Sequence, residues 1–103
     1  MSYRSAIAKN IRELRFVMCQ QSPASMGARQ FIAKNYLDIK SQAPATPFIV
    51  RECHGAQPNV MVRYDFGVEK RVYLNELTAD EVDQAVGELV LDADSVNAAV
   101  PGQ

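Results

Sequence analysis

The chain has no tryptophan, one histidine and two cysteines among its 103 residues. Two cysteines are too few for a disulfide-rich secreted scaffold. The single histidine, His54, stands without any Cys-x-x-Cys or His-x-x-x-His spacing around it, which argues against a zinc site. Gly27, Gly55, Gly67, Gly87 and Gly102 are scattered, so no glycine-rich loop is present to cradle a phosphate. No apolar run approaches the ~18 residues that a membrane-spanning helix needs, and there is no secretory hydrophobic region. Basic residues are also missing from a whole section: after Arg71 there is none, while seven Asp and Glu follow. The residues up to Arg71 hold all 11 Lys and Arg against 5 Asp and Glu, giving +6, and the remainder carries −7. The total of −1 and a pI near 5.7 do not describe a strongly basic nucleic-acid binder. They describe a surface with a basic side and an acidic side.

What is present is ordinary for one globular domain: 48% hydrophobic and 22% charged residues. The opening MSYRSAIAKNIR is basic and rich in Ser and Ala, and residues 1–10 are expected to be a flexible arm with the composition of a weak organelle-targeting segment. Leu14 to Cys19 reads as a strand that is apolar on both faces, which suits a central strand covered on both sides. Ser22 can cap a helix with Pro23 at its first position. That helix runs from Ala24 to Ser41. Ala24, Ala28, Phe31, Ile32 and Ile39 share the arc expected to face the sheet, and Met26, Ala33 and Leu37 lie on the opposite side.

Phe48 to Cys53 reads as a second strand, parallel to the first because the helix fills the crossover. Val60 to Phe66 and Arg71 to Leu74 read as an antiparallel hairpin. Thr78 and Glu81 form a capping-box pattern at the start of a last helix, whose apolar stripe is Val82, Ala85, Val86, Leu89 and Val90. The expectation is an α/β domain over residues 11–90, ordered β-α-β-β-β-α in a thioredoxin-like layer. A four-stranded mixed sheet carries the helices, the first and third strands are central, and residues 91–103 form a flexible acidic tail.

The chemistry centres on Cys19 and Cys53. Each ends one of the parallel strands, and if the strands are neighbours the two could come within disulfide reach. Closing that loop is worth about 3–4 kcal/mol in the chain-entropy model. The alternative is a pair of small apolar side chains that never join, as a reducing compartment favours. A dithiol enzyme needs a thiolate at a helix N-terminus. That position holds Ser22-Pro23-Ala24-Ser25, a degenerate slot without sulfur. Pro58 precedes the third strand, where a thioredoxin-like fold often carries a cis-proline.

Taken in order, LRFVMCQQSPAS, GARQFIAKNYLDIK, PFIVREC, QPNVMVRYDFG and VYLNELTADEV resemble a known family. It is that of the small thioredoxin-like accessory subunits of mitochondrial respiratory complex I, whose domain is shared with some mitochondrial ribosomal proteins. The likeness covers about residues 11–90. It implies a non-catalytic subunit without cofactor or metal, docked on the matrix-side peripheral arm of the inner-membrane complex. It further implies other complex I subunits as partners, no nucleic acid and no direct membrane insertion. The family's two cysteines, for which a regulatory disulfide has been considered, fall on Cys19 and Cys53. Docking is expected to use Met26, Ala33 and Leu37 with the cations Arg29, Lys40, Arg51 and Arg63. Two other readings stay open: a thiol-disulfide redox protein acting through Cys19 and Cys53, and a mitochondrial ribosomal protein.

Overall fold

The computed structural model describes residues 3–93. A short 3-10 turn, Tyr3–Ala6, leads into α1, Ile7–Asn10. There follow β1 (Glu13–Met18), α2 (Met26–Gln42), β2 (Phe48–Glu52), β3 (Asn59–Arg63), β4 (Glu69–Tyr73) and α3 (Ala79–Leu91). The strands form one mixed sheet in the order β2-β1-β3-β4. β1 runs parallel to β2 and antiparallel to β3, and β3 and β4 form the antiparallel hairpin. The α/β architecture with β1 and β3 central is the one expected, and it is compatible with a thioredoxin-like layout.

Strand alternation decides what is buried. Leu14, Phe16 and Met18 project to one face of β1, opposite Phe48 and Val50 of β2 and Val60 and Val62 of β3. Ala28, Phe31 and Ile39 of α2 and Val82, Val86 and Val90 of α3 join them in one core. Phe16 stacks on Phe48 at 5.6 Å and packs on Phe31 at 5.8 Å. Each such side chain, fully withdrawn from water, contributes about 1.5–3 kcal/mol. Both helices therefore cover the same side.

The opposite side corrects an expectation. β1 is not covered on both faces: Glu13, Arg15, Val17, Asn59, Met61 and Arg63 share the other face, and none of them joins the helix-packed core. Val17 looked like a core position by hydropathy. Its cross-strand neighbours are Arg51 and Asn59.

Residues 3–10 are corrected too, while the first two lie outside the described residues. Rather than forming a flexible arm, Tyr3, Ile7 and Ile11 are buried in the core. The Tyr3 hydroxyl donates to Asp83 at 2.8 Å, and Asn10 Nδ2 donates to the Val90 carbonyl at 2.9 Å. Basic residues gave the segment its polar look, but its apolar residues recur at four-residue spacing and close over α3.

Smaller differences concern boundaries. β3 stops at Arg63, and Asp65–Gly67 form a 3-10 turn that ends on Gly67 at φ +79°. β4 starts at Glu69 rather than Arg71. The tail expected from residue 91 begins packed: Leu91 closes α3, Asp92 pairs with Lys70 at 2.5 Å and Ala93 is buried. The rest of that acidic tail lies outside the described residues.

The thiol pocket and the sheet face

β1 ends at Met18 and β2 at Glu52, so each cysteine stands one residue past its strand. The Cys53 N–H donates to the Met18 carbonyl at 2.9 Å, extending the parallel ladder by one step. Cys19 and Cys53 line one shallow pocket of about 120 Å³ with Gln20, Gln21, Glu52 and His54. Cys19 is buried and Cys53 exposed, and both are free thiols. The backbone N–H of Gln21, then that of Gly55, holds the Cys19 thiol below its ordinary pKa against the opposing effect of burial. The Ser22 amide and the charge of Arg29 add to this.

The serines of the degenerate slot have structural work. Ser22 Oγ accepts the Ala24 N–H at 3.2 Å as a helix cap, and Ser25, fully buried, accepts the Cys19 N–H at 3.2 Å. Arg29 Nη1 donates to the carbonyls of Cys19 at 2.8 Å and Ser22 at 2.9 Å. Pro58 is trans, since the described residues contain no cis peptide bond, and its carbonyl accepts the Leu74 N–H at 2.8 Å. His54 is exposed, and no group of His, Cys, Asp and Glu among the described residues could hold a metal ion. No described helix is long and apolar enough to cross a membrane.

The expected docking residues fall into three places. Met26, Ala33 and Leu37 are exposed along the outer side of α2, with Leu37 81% accessible. Arg29 and Lys40 are occupied within the chain. Arg29 holds the β1–α2 loop, and Lys40 Nζ donates to the Thr46 carbonyl at 3.1 Å and the Pro44 carbonyl at 3.3 Å. Arg51 and Arg63 stand on the other side of the molecule, on the helix-free sheet face. The structure therefore does not bring the set together.

Strand register orders that sheet face into rows. Arg51, Val17, Asn59 and Tyr73 form one; Ile49, Arg15, Met61 and Arg71 form the next; Glu13, Arg63 and Glu69 form the third. Arg15 and Arg71 belong to this constellation and were missed in the sequence. The period-two alternation of the strands was the signal that could have found them. Glu13 pairs with both Arg15 (2.8 Å) and Arg63 (3.1 Å).

Residues 28–79, from α2 to the first residue of α3, match the model of the mitochondrial ribosomal protein L51 / S25 / CI-B8 domain. The chain belongs to the L51/S25/CI-B8 family. Within that family it is 47% identical over 90 residues to the Arabidopsis thaliana protein named NADH dehydrogenase (ubiquinone) 1 alpha subcomplex subunit 2, covering 87% of this chain and 93% of that one. The Mus musculus protein of the same name is 47% identical over 76 residues, covering 74% and 77%. The Neurospora crassa NADH-ubiquinone oxidoreductase 10.5 kDa subunit is 38% identical over 90 residues, covering 87% and 96%.

Proposed function

We propose that the chain is a non-catalytic accessory subunit of mitochondrial NADH:ubiquinone oxidoreductase, docked on the matrix-side peripheral arm of this inner-membrane complex and supporting its assembly or stability. The observation that carries this reading is the near-complete coverage of three relatives whose names place them in that enzyme. The helix N-terminus supports the non-catalytic part, because both of its serine hydroxyls are already engaged and neither can exchange thiols. A ribosomal role is less well supported: the domain description names ribosomal proteins, but a chain of net charge −1 lacks the basic excess that phosphate binding demands. The test is blue-native separation of mitochondrial membranes followed by mass identification. The chain is expected to migrate with NADH dehydrogenase activity. RNase-sensitive sedimentation with ribosomes, or migration as a free protein, overturns the reading.

Within that role, Cys19 and Cys53 are a pair able to close under oxidation. The exposed Cys53 thiolate attacks a low-molecular-weight disulfide such as oxidised glutathione, releasing one thiol. The Cys19 thiolate then displaces the second and forms the intramolecular bond. Mass spectrometry after titration with a glutathione redox buffer checks it: loss of two hydrogens supports closure, and two alkylatable thiols at every ratio exclude it.

A further inference from the structure

Two exposed surfaces compete for the role of docking surface: the α2 stripe of Met26, Ala33 and Leu37, and the helix-free face of the sheet. The stripe offers separated apolar side chains, and both cations expected to support it are spent on the chain's own carbonyls. The sheet face is different in kind. It presents four arginines, Arg15, Arg51, Arg63 and Arg71, against two glutamates, a local excess of +2. Arg51 and Arg71 make no ion pair with any described residue. Arg15 and Arg63 share the single carboxylate of Glu13. Arg15 Nε, Arg63 Nε and Asn59 Oδ1 are screened from solvent yet have no hydrogen-bond partner among the described residues. Buried polar atoms are mostly hydrogen-bonded, and these three are spread over the three rows of this one face, the two arginines being ion-paired only through Glu13.

The same face has an apolar centre. Met61 is 3% exposed and lies between Arg15 and Arg71, and Tyr73, 56% exposed, stands at the β4 edge. Met61 is thus already covered within the chain, and what the face presents is arginines and a tyrosine, residue types enriched at protein interfaces. The two glutamates and the modest excess of charge fit a protein better than a polyphosphate.

We propose that this helix-free sheet face is the docking surface, and that its occupant is a protein surface bringing carboxylates around an apolar centre, so that Arg51 and Arg71 gain the partners they lack among the described residues. The inference rests on the complex I reading and names the face that reading left open. Carboxylates set beside Arg51 and Arg71 would complete charge-assisted pairs, and the same face would repel a basic neighbour.

The test places full-length variants in cells lacking the chain and measures incorporation into the complex on blue-native gels. R51E/R71E is expected to incorporate at least about tenfold less than wild type, equivalent to about 1.4 kcal/mol. R51K/R71K and M26A/L37A are expected to incorporate normally. Purified R51E/R71E should melt as wild type does, separating lost docking from lost folding. A photo-crosslinking residue at Ile49 should join the chain to another protein subunit, and one at Leu37 should not. Normal incorporation of R51E/R71E, cross-linking from Leu37 alone, or an RNA adduct at Ile49 overturns the proposal. Failure of the wild type to enter the complex overturns the complex I reading instead, and the Ile49 cross-link then still reports whether a protein covers this face.

Discussion

The guanidinium of Arg29, one turn into α2, holds the carbonyl oxygen of Cys19 at the end of β1 across 2.8 Å. The same nitrogen holds the Ser22 carbonyl, so one side chain fixes the β1–α2 loop and the backbone around the buried thiol. Removing it leaves two carbonyls without a charged donor. Arg29→Ala is expected to lower stability by about 1.5–3 kcal/mol. A shift of the urea midpoint at unchanged slope measures this, and an unshifted midpoint would show that water replaces the guanidinium at no cost.

The Cys19 thiol makes stability depend on pH. Its pKa is lowered in the folded chain, first by the Gln21 amide and then by that of Gly55. The folded chain thus loses this proton at a lower pH than the unfolded chain does. The resulting stabilisation is complete above the unfolded thiol's value and disappears as pH falls through the folded one. Under reducing conditions wild type is expected to gain stability relative to Cys19→Ser as pH rises toward the ordinary thiol pKa of about 8.5, and to gain no more above it. Parallel urea curves across that window would contradict it.

Gly27 and Gly55 should respond to alanine for different reasons. A β-carbon at Gly27 would stand 1.8 Å from the Leu77 carbonyl oxygen, so α2 would have to separate from the loop before α3. Gly27→Ala is expected to cost about 3 kcal/mol or more, lowering Tm by on the order of 10–20 °C. A β-carbon at Gly55 meets nothing, but its φ of +74° disfavours one. Gly55→Ala is expected to cost only about 1–2 kcal/mol. Thermal melts of the pair would refute this ordering if Gly55→Ala were the less stable.

Exposure, rather than residue size, should rank the apolar truncations. Ile7→Ala opens the core beneath the N-terminal turn and is expected to cost about 2–5 kcal/mol. Leu37→Ala, on the outer side of α2, should stay within about 0.5 kcal/mol. Urea denaturation distinguishes them directly. Equal losses would mean that residues 3–11 do not close over α3 in solution.

Much of this fold could be read because local signals agreed with tertiary roles. Ser22-Pro23 and Thr78 with Glu81 mark helix starts that the structure caps through those same hydroxyls. The sheet order followed from a helix-length crossover and a short hairpin link. What could not be read was which side of the sheet the helices would choose. Val17 and Met61 are apolar in sequence, and only the placement of both helices against Phe16 and Val60 turns them to the other face. The N-terminal turn was illegible for a related reason. Tyr3, Ile7 and Ile11 acquire meaning from α3, eighty residues away, and no local pattern announces a partner so distant. The candidate docking residues were split for the same cause: residue type was visible, while Arg29 and Lys40 were consumed by carbonyls that only the folded loops present.

That distant pairing bears on the order in which the molecule can be completed. Tyr3 meets Asp83 and Asn10 meets the Val90 carbonyl, so the earliest and latest described elements close on each other. A chain released from its amino end forward holds Ile7 and Ile11 without their α3 partners until residue 91 is free. Partial chains that stop short of α3 are thus left without their closing turn in place, and loss of residues 3–11 strips the cover from α3.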